Sequence, residues 1–432
     1  MVRDGSNTKL VIGLSLKHRE IKWCFSMLNF YPVCSLIGRL VHLNIVILGT
    51  GMIGTTVVCE IAKFNGIDSV TAVDVRKENI DKCLEIANNP KVVGKVASLE
   101  SEEDIAKVLI DADVAVACLP HSLSLLAIKA AIASKCHLVD LVGSKFHEKR
   151  ALHKEAQEAG VIIVPGCGVA PGITNFLAAQ GIEMLDEADE AVMICGGIPR
   201  HPIPPLWYQV VFRLESVLGL YTKPALAVEN GQLVQLLPLT GLEKITFPEP
   251  VGVCESVITD AHSTAYVLKD KVKNLYERTV RYPGHWGKMN VLSELGFFDN
   301  DAISVDGLSI TPRAFTEKIL APKMVGNTKE DITVLRVEVR GIKDGKSTKY
   351  TWQMVDYYDH GRNITSMAKT TAIPAALVAK WIALKKITET GVIPIETIIV
   401  KDRFEPFLNE MSRLGINIDF NEEVYMYGQS NW

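Results

Sequence analysis

The sequence predicts a doubly wound α/β fold in which a parallel Rossmann sheet precedes a second α+β, largely antiparallel domain. Three observations support this prediction. Short apolar runs alternate with helical stretches of about 10 to 15 residues between positions 43 and 165. A glycine-rich turn directly follows the first of these runs, Leu43–Leu48. From Glu190 the segments lengthen and alternate apolar with polar residues, a pattern typical of antiparallel strands.

The first domain is predicted to alternate strands with helices, because parallel neighbours need crossover connections that are usually helical. The predicted strands are Leu43–Leu48, Ser69–Asp74, Gly94–Ser98, Val114–Cys118, His137–Leu141 and Val161–Val164. The predicted helices are Met52–Asn65, Lys77–Asn89, Glu102–Asp111, Ser124–Ser134 and His147–Ala159. This order indicates a sheet with helices on both of its faces.

The chain after this sheet is predicted to form a second domain and then to return. Ile173–Leu185 is expected to be a linking helix. The alternating runs Thr333–Arg340 and Lys349–Tyr357 flank Asp344-Gly345, which predicts a hairpin. Thr370–Lys385 is strongly helical and apolar, and we expect it to pack on the first domain. The predicted boundaries are 1–42 for a poorly ordered extension, 43–185 for the first domain, 186–365 for the second and 366–420 for the C-terminal helices.

The composition favours a small-molecule partner. Hydrophobic residues make up 48% and charged residues 22% of the 432 positions, as in globular proteins. The net charge of −4 and the absence of a basic stripe argue against a nucleic-acid partner. Nine cysteines are scattered with no C-x-x-C pair, which predicts free thiols in a reducing, cytoplasmic setting and no metal site.

The first 42 residues contain an order of residues that resembles a signal peptide or membrane anchor. A basic cluster at positions 17–22 precedes the apolar run Trp23–Ile37. Asn29 and Pro32 interrupt this run, which is also shorter than the roughly 20 residues of a membrane span. We therefore expect no membrane association.

Gly49-Thr-Gly51-Met-Ile-Gly54 is a complete G-x-G-x-x-G between the first strand and its helix. The first glycine permits the tight turn, the second lets a pyrophosphate approach the backbone, and the third allows close packing of helix on strand. The motif predicts a dinucleotide site in the first domain. We expect the cofactor to contact Gly49, Gly51, Met52, Ile53, Gly54, Asp74, Cys118, Leu119 and Pro120.

Asp74 decides the expected cofactor. It ends the second strand, 20 residues beyond Gly54, where a carboxylate accepts hydrogen bonds from the adenosine ribose. A carboxylate there repels a 2′-phosphate, so we expect NAD. Arg76 is close enough in sequence to accommodate that phosphate, so NADP stays open.

Two loops supply the candidate catalytic residues. In such sheets the nicotinamide ring lies beyond the carboxyl ends of later strands. Here His121 follows one of these strands, and Asp140 lies at the end of another. Asp140 is a candidate proton acceptor or orienting group, with a loop hydrogen bond as the alternative. His121 and His285 are candidate general bases, with a structural hydrogen bond as the alternative. Arg281, in Arg281-Tyr-Pro-Gly-His285-Trp, suits a carboxylate-bearing substrate held by a bidentate pair.

Several segments together resemble the saccharopine dehydrogenase family and, within it, the bacterial and archaeal lysine 6-dehydrogenases. The likeness runs from about residue 43 to about residue 418. Three short motifs in a fixed order are more specific for this family than the glycine motif. They are Val-Ala-Pro-Gly, Gly-Gly-Ile-Pro and Arg-Tyr-Pro-Gly-His. The matching segments are Ile45–Gly54, Val169–Gly172, Gly196–Pro199, Pro204–Leu206, Tyr221–Ala225, Asn230-Gly231, Arg281–His285 and Leu292–Phe298. The segment 367–374 departs from the family pattern, with Lys369 in place of an arginine and with Pro374.

The resemblance implies an oligomeric two-domain enzyme, a homodimer or larger, whose second domain binds substrate and whose C-terminal end returns to the nucleotide domain. It implies NAD-linked oxidative deamination of the ε-amine of L-lysine, which yields 2-aminoadipate 6-semialdehyde and ammonia. Under this hypothesis Arg281 and Tyr208 hold the carboxylate and amine end of the substrate. Three alternatives remain: a dehydrogenase acting on saccharopine, an enzyme acting on polyamines, or a protein that senses NAD without turnover.

Overall fold

The computed structural model describes residues 43–210 and 214–425. The predicted extension, residues 1–42, lies outside this part of the chain. Within it, seven parallel strands form the first sheet, in the order β3-β2-β1-β4-β5-β6-β17. These strands are β1 (Asn44–Leu48), β2 (Ser69–Asp74), β3 (Val92–Val96), β4 (Val114–Ala117), β5 (His137–Asp140), β6 (Ile162–Pro165) and β17 (Gly391–Val392).

The strand order reverses direction between β1 and β4, which opens a crevice at their carboxyl ends. β1 pairs with β2 on one side and with β4 on the other, in parallel register. The core strands are fully buried because helices cover both faces. The predicted fold class is confirmed.

Helices connect the strands of the first sheet: α1 (Met52–Ala62), α2 (Lys77–Ala87), α3 (Glu102–Leu109), α4 (Ser124–Ala133), α5 (Phe146–Ala151) and α6 (His153–Ala159). The single predicted helix 147–159 is therefore wrong. The Leu152 N–H bonds to the carbonyl three residues back, at Lys149, and this tight turn separates α5 from α6. The break allows His153 to lie 3.1 Å from the carbonyl of Val392 on the edge strand.

A nine-stranded mixed sheet forms the second layer of strands. Its main path is β10-β11-β12-β7-β15-β16-β18, and all of these neighbours are antiparallel except β12 and β7. β8 pairs with β9 beside this path. The bounds are β7 (Glu187–Pro199), β8 (Ala225–Glu229), β9 (Gln232–Leu236), β10 (Glu243–Phe247), β11 (Gly252–Thr259), β12 (Val272–Arg281), β15 (Asp331–Lys343), β16 (Lys346–Tyr357) and β18 (Asp419–Tyr425). β15 and β16 form the predicted hairpin.

Two apolar helices, α7 (Ile173–Met184) and α12 (Ser366–Ala383), belong to a core shared by both sheets. Nearly every residue of α12 is buried. The helix begins four residues earlier than expected because the Thr365 hydroxyl accepts the Ala368 N–H, a good N-cap.

The remaining elements surround this core. They are α8 (Leu214–Thr222), α9 (His262–Leu268), α10 (His285–Glu294), the hairpin β13 (Ile303–Val305) and β14 (Leu308–Ile310), α11 (Pro312–Lys323), α13 (Ile395–Ile398) and α14 (Phe404–Arg413). Among the described residues, no helix combines the length and apolar character that crossing a membrane requires.

The start of α12 is fixed by a buried carboxylate. Asp331, the first residue of β15, accepts the Ser366 N–H at 2.6 Å and the Met367 N–H at 2.8 Å. Asp356 of β16 accepts the Ser366 hydroxyl and forms an ion pair with Lys369 at 2.9 Å. The second sheet thus holds the helix that packs on the first.

Gly181 tests how closely α7 packs on the second sheet. A Cβ at this position would lie 2.7 Å from Val339 Cγ2 and 2.9 Å from Trp352 Cζ3. We expect Gly181→Ala to lower the free energy of unfolding by about 1–3 kcal/mol in urea titrations, because overpacking strains the core. Gly287→Ala is the control. This helical position has open space around it, so the change should be neutral or slightly stabilising. Equal stability of both variants would contradict the packing.

Candidate functional site

A cavity of about 530 Å³ lies between the carboxyl ends of the first sheet and one face of the second. The first sheet contributes the glycine turn and the loops after β4 and β5. The second sheet contributes β7, β12 and the loop after β11. Met367 and Thr371 of α12 also line the cavity, together with Tyr208, Leu220 and Lys223. The cavity is therefore enclosed by both sheets and by the helix that joins them.

The glycine turn forms as the motif predicts. Gly49 has a φ of +90°, and a Cβ there would lie 2.7 Å from the carbonyl oxygen of Cys118. A Cβ at Gly54 would lie 1.9 Å from the carbonyl oxygen of Gly49. Gly51 differs, because nothing in the protein lies within 4 Å of its hypothetical Cβ. The space beside Gly51 is thus free for a ligand, at the N-terminus of α1.

The carboxylate of Asp74 lies beside this turn. One oxygen accepts the Thr50 N–H at 2.9 Å, and the other accepts the Arg76 N–H at 3.0 Å. Burial alone would raise the pKa of Asp74, but these hydrogen bonds outweigh it and lower the pKa below its usual value. Asp74 is therefore ionised at neutral pH and held in place beside the glycine turn.

These residues fit a dinucleotide. No side chain caps the N-terminus of α1, so its amide groups can receive a pyrophosphate. Met52, Ile53, Cys118 and Leu119 line the cavity, whereas Pro120 does not.

Arg281 is a buried cation on the cavity wall. It is 4% exposed, and its guanidinium stacks 4.2 Å from the ring centroid of Tyr208, another residue of the lining. Its Nε has no hydrogen-bond partner, and the described residues provide no carboxylate within ion-pair distance. A buried guanidinium without a counterion suits an anionic ligand group.

His285 lies behind Arg281 and outside the cavity lining. Its Nδ1 is 2.9 Å from the carbonyl oxygen of Leu206, and its Nε2 is 2.9 Å from the hydroxyl of Tyr221. Burial and the charge of Arg281 lower the pKa of His285 to about 3, so the ring is neutral. Nδ1 then donates to the carbonyl and Nε2 accepts from the hydroxyl. With both nitrogens in use, the geometry favours a structural role over that of general base.

Asp140 also lies outside the cavity lining. It is fully buried and accepts hydrogen bonds from the Ser124 hydroxyl at 2.6 Å, the Val142 N–H at 3.1 Å and the Lys149 ammonium at 2.8 Å. Lys149 is fully buried too. This buried ion pair shapes the loop after β5, and the geometry favours that role over proton transfer.

His121 is the one predicted catalytic residue that lines the cavity. Its Nδ1 lies 3.0 Å from the Ser144 hydroxyl, which joins the loop after β4 to the loop after β5. Lys369 lies apart, because its ammonium is paired with Asp356, while its neighbours on α12 reach the cavity.

The structure adds three cavity residues that the sequence reasoning missed: Asp260, His262 and Glu277. His262 Nδ1 lies 3.0 Å from an Asp260 carboxylate oxygen. Glu277, Thr279 and Arg281 occupy alternate positions of β12 and all line the cavity. This alternation of polar residues was visible in the sequence. It did not show which face of the strand meets the cavity.

Family comparisons agree with both halves of this architecture. Residues 45–164 match the model of the saccharopine dehydrogenase NADP binding domain, and residues 168–416 match that of the saccharopine dehydrogenase C-terminal domain. The chain belongs to the saccharopine dehydrogenase family. The resemblance is thereby confirmed at the level of the family, and a nicotinamide cofactor is supported.

Curated relatives are identical to this chain at about a quarter of the aligned positions. The α-aminoadipic semialdehyde synthase of Arabidopsis thaliana is 24% identical over 74% of this chain, but the match covers only 38% of that protein. A carboxyaminopropylagmatine dehydrogenase of Synechocystis is 23% identical, with 86% of this chain and 96% of that protein covered. The glutamate-forming saccharopine dehydrogenase of Saccharomyces cerevisiae is 24% identical over 67% of this chain and 66% of its own.

The fold is shared with a solved relative. The apo form of the yeast glutamate-forming saccharopine dehydrogenase superposes with a TM-score of 0.73, 19% identity and coverage of 88% of this chain and 100% of that one. The match shows that the first sheet and the second sheet are arranged alike in both proteins.

Gly51→Ala tests whether the space beside Gly51 belongs to the cofactor. The residue has a φ of −66° and no protein neighbour at its Cβ, so folding and melting temperature should be unchanged. The added methyl group should weaken NAD binding at least about tenfold, or ~1.4 kcal/mol, by intrinsic fluorescence titration. Gly54→Ala serves as the contrast, since its Cβ meets the protein itself and should reduce stability as well. Unchanged NAD affinity in Gly51→Ala would place the cofactor elsewhere.

Asp140→Asn tests the structural role of the ion pair. The change leaves the Lys149 ammonium buried without its counterion, so we expect a loss of about 3–5 kcal/mol in urea unfolding. Adding Lys149→Met removes that charge and should recover most of the stability, together with the activity. An Asp140→Asn variant as stable as wild type but inactive would instead support the proton-acceptor role.

Proposed function

We propose that this enzyme oxidises the ε-carbon of L-lysine with NAD, releasing 2-aminoadipate 6-semialdehyde, which cyclises, and ammonia. The observation that carries the proposal is Arg281, a buried guanidinium on the cavity wall without a carboxylate partner among the described residues. It provides the anchor for an amino-acid carboxylate. Membership of the family supports the reaction class.

The spacing along β12 suits a substrate of this length. Arg281 and Glu277 lie four residues apart on the same face of the strand, about 13 Å from Cα to Cα. A carboxylate bound by Arg281 therefore leaves the far end of an extended lysine side chain near Glu277 and His262. Tyr208 supports the guanidinium by stacking and limits its movement.

The cofactor end of the cavity favours hydride transfer. When bound, the nicotinamide accepts a hydride from the carbon that carries the amine. Leu119, Val142, Val169 and Pro171 line this part of the cavity with apolar surface. They reduce access of bulk water, which protects the imine until a single water attacks it.

NAD rather than NADP is the proposed cofactor because Asp74 is ionised and fixed beside the turn. Its charge accepts hydrogen bonds from ribose hydroxyls and repels a 2′-phosphate. Arg76 donates its backbone N–H to the same carboxylate.

Saccharopine is the second candidate substrate. Its oxidation breaks the same carbon–nitrogen bond but releases glutamate, whose carboxylates need another cation. Lys223 lines the cavity and is exposed to solvent, where it can meet such a group. The relative named saccharopine dehydrogenase supports this candidate. Polyamines have no carboxylate for Arg281, and a sensor without turnover leaves the polar cavity wall without a use.

Steady-state rates of NADH formation with lysine, saccharopine, ornithine and putrescine test the proposal. We expect turnover with lysine and one ammonia released per NADH. Arg281→Met should raise the KM for lysine at least about 30-fold, or ~2 kcal/mol, because it removes the partner of a buried carboxylate. Arg336→Met, which removes an arginine that lies outside the cavity lining, should leave this KM unchanged.

Glutamate in place of ammonia as the co-product would establish the saccharopine reaction. An Arg281→Met variant with the wild-type KM would refute the anchoring role. NAD binding without NADH formation from any of the four amines would refute the proposed enzyme function.

A further inference from the structure

Glu277 is a carboxylate in the cavity wall that the fold does not satisfy. The residue is 5% exposed, and its Oε2 atom is buried with no hydrogen-bond partner. Leaving a buried carboxylate oxygen unpaired is costly unless a ligand or a proton satisfies it. The side chain belongs to the cavity lining, so the available partner is whatever occupies the cavity.

The charged neighbours of Glu277 come from several elements. Asp260 and His262 follow β11, and Glu277 pairs in register with Thr259 at the end of that strand. Burial alone would lower the pKa of His262, but the Asp260 carboxylate raises it to about 9, so the imidazole is protonated at neutral pH. The other titratable or charged groups around this cluster are Cys195 of β7, Arg281 of β12, Lys149 of α5 and Glu396 of α13.

Several other proton acceptors lie near the cavity, and each of them is engaged within the protein or already protonated. His121 Nδ1 lies 3.0 Å from the Ser144 hydroxyl, and an Asp260 carboxylate oxygen lies 3.0 Å from His262 Nδ1. Asp140 and His285 use their acceptor atoms inside the protein. His262 already carries its proton. Burial raises the pKa of the Cys195 thiol to about 12, so it stays neutral. Glu277 remains as a carboxylate with an unused oxygen.

We propose that Glu277 accepts the proton of the substrate amine, with the His262–Asp260 pair as the positioning residues that set its charge. The proposal rests on the proposed function. It assigns the general base to β12, the strand that also carries the substrate anchor, rather than to the nucleotide domain.

The proton and electron balance is as follows. The substrate ammonium transfers one proton to Glu277. The freed nitrogen lone pair forms the carbon–nitrogen double bond as hydride leaves the same carbon for the cofactor, and Glu277 then releases its proton to solvent. Water adds to the iminium carbon and passes a proton to Glu277, which returns it to the nitrogen. The carbon–nitrogen bond breaks, and ammonia leaves as ammonium with the last hydroxyl proton.

The environment adjusts Glu277 for this exchange. Burial raises its pKa to about 7, even though the nearby His262 cation opposes the rise. A base with this pKa accepts and returns protons readily near neutral pH. The ionised fraction of Glu277 increases as the pH rises through this pKa. We therefore expect kcat/KM to fall as the pH drops below about 7, which gives the pH profile an acidic limb.

Glu277→Gln tests the assignment by the pH dependence of kcat/KM for lysine. We expect a loss of about 10²–10³-fold at pH 7.5 and no acidic limb near pH 7. The loss should shrink to less than about tenfold near pH 10, because solvent then deprotonates the lysine amine, whose pKa is about 10.4. A purely structural role for Glu277 would give a loss that does not depend on pH.

Glu243→Gln is the matched control. This carboxylate lies on β10, is more than half exposed and pairs with Arg278 away from the cavity, so the wild-type profile should be kept. His262→Gln should move the acidic limb to higher pH, because it removes the cation that favours ionised Glu277. If Glu277→Gln fails to bind NAD or melts early, Glu277→Asp replaces it. That variant should keep the acidic limb with a lower kcat.

The kinetics of the wild-type protein distinguish a failure of the proposed function from a failure of the assignment of Glu277 as general base. If the wild type forms no NADH from lysine or saccharopine, the proposed function fails whatever Glu277 does. If the wild type turns over and Glu277→Gln keeps both its rate within about threefold and its acidic limb, the base assignment is overturned. Loss of the acidic limb in Glu277→Asp would overturn it as well.

Discussion

The carboxylate of Asp331 determines how the two halves of this protein meet. It starts β15 and accepts the two backbone N–H groups at the beginning of α12. A buried carboxylate is stable at a helix N-terminus because the unpaired amides and the helix dipole favour negative charge. Burial nevertheless raises the pKa of Asp331 to about 6. Through this contact the second sheet holds the helix that packs on the nucleotide sheet, and the cavity between them depends on it.

The ionisable groups around the cavity fall into two kinds. Asp140 with Lys149, and Asp356 with Lys369, have their charges satisfied within the protein, and each fixes a loop or a helix end. Arg281 and Glu277 have buried polar atoms without protein partners and both reach the cavity. Buried polar groups are normally paired, so those left unpaired in a cavity mark where a ligand completes the bonding. On this distinction we propose that the substrate anchor and the general base lie on one strand.

Local sequence features predicted the nucleotide domain well. The glycine turn and Asp74 belong to a motif whose residues are close together in the sequence. Gly49, Gly54 and Asp74 therefore lie where the motif predicts. Arg281 and Tyr208 are brought together in the cavity as expected, although nothing local in the sequence shows that they stack. The hairpin β15–β16 was evident from its alternation and turn residues.

The proposed proton acceptor could not be predicted from local features because its environment is built from distant parts of the chain. Asp140 has the expected position at a strand end, but Lys149 on α5 neutralises it, which spacing alone does not show. Glu277 resembles any polar residue of an amphipathic strand until the pairing of β12 with β11 places it beside His262. Burial and partners, rather than residue type, separate these two carboxylates.

Transfer of deuterium from the substrate to the cofactor shows which carbon of lysine is oxidised. Lysine deuterated at the ε-carbon is incubated with the enzyme and NAD, and the reduced cofactor is analysed by mass spectrometry. We expect NADH to carry the deuterium, and we expect lysine deuterated at the α-carbon to give unlabelled NADH. Deuterium arriving from the α-carbon, or unlabelled NADH from the ε-labelled substrate, would contradict this expectation.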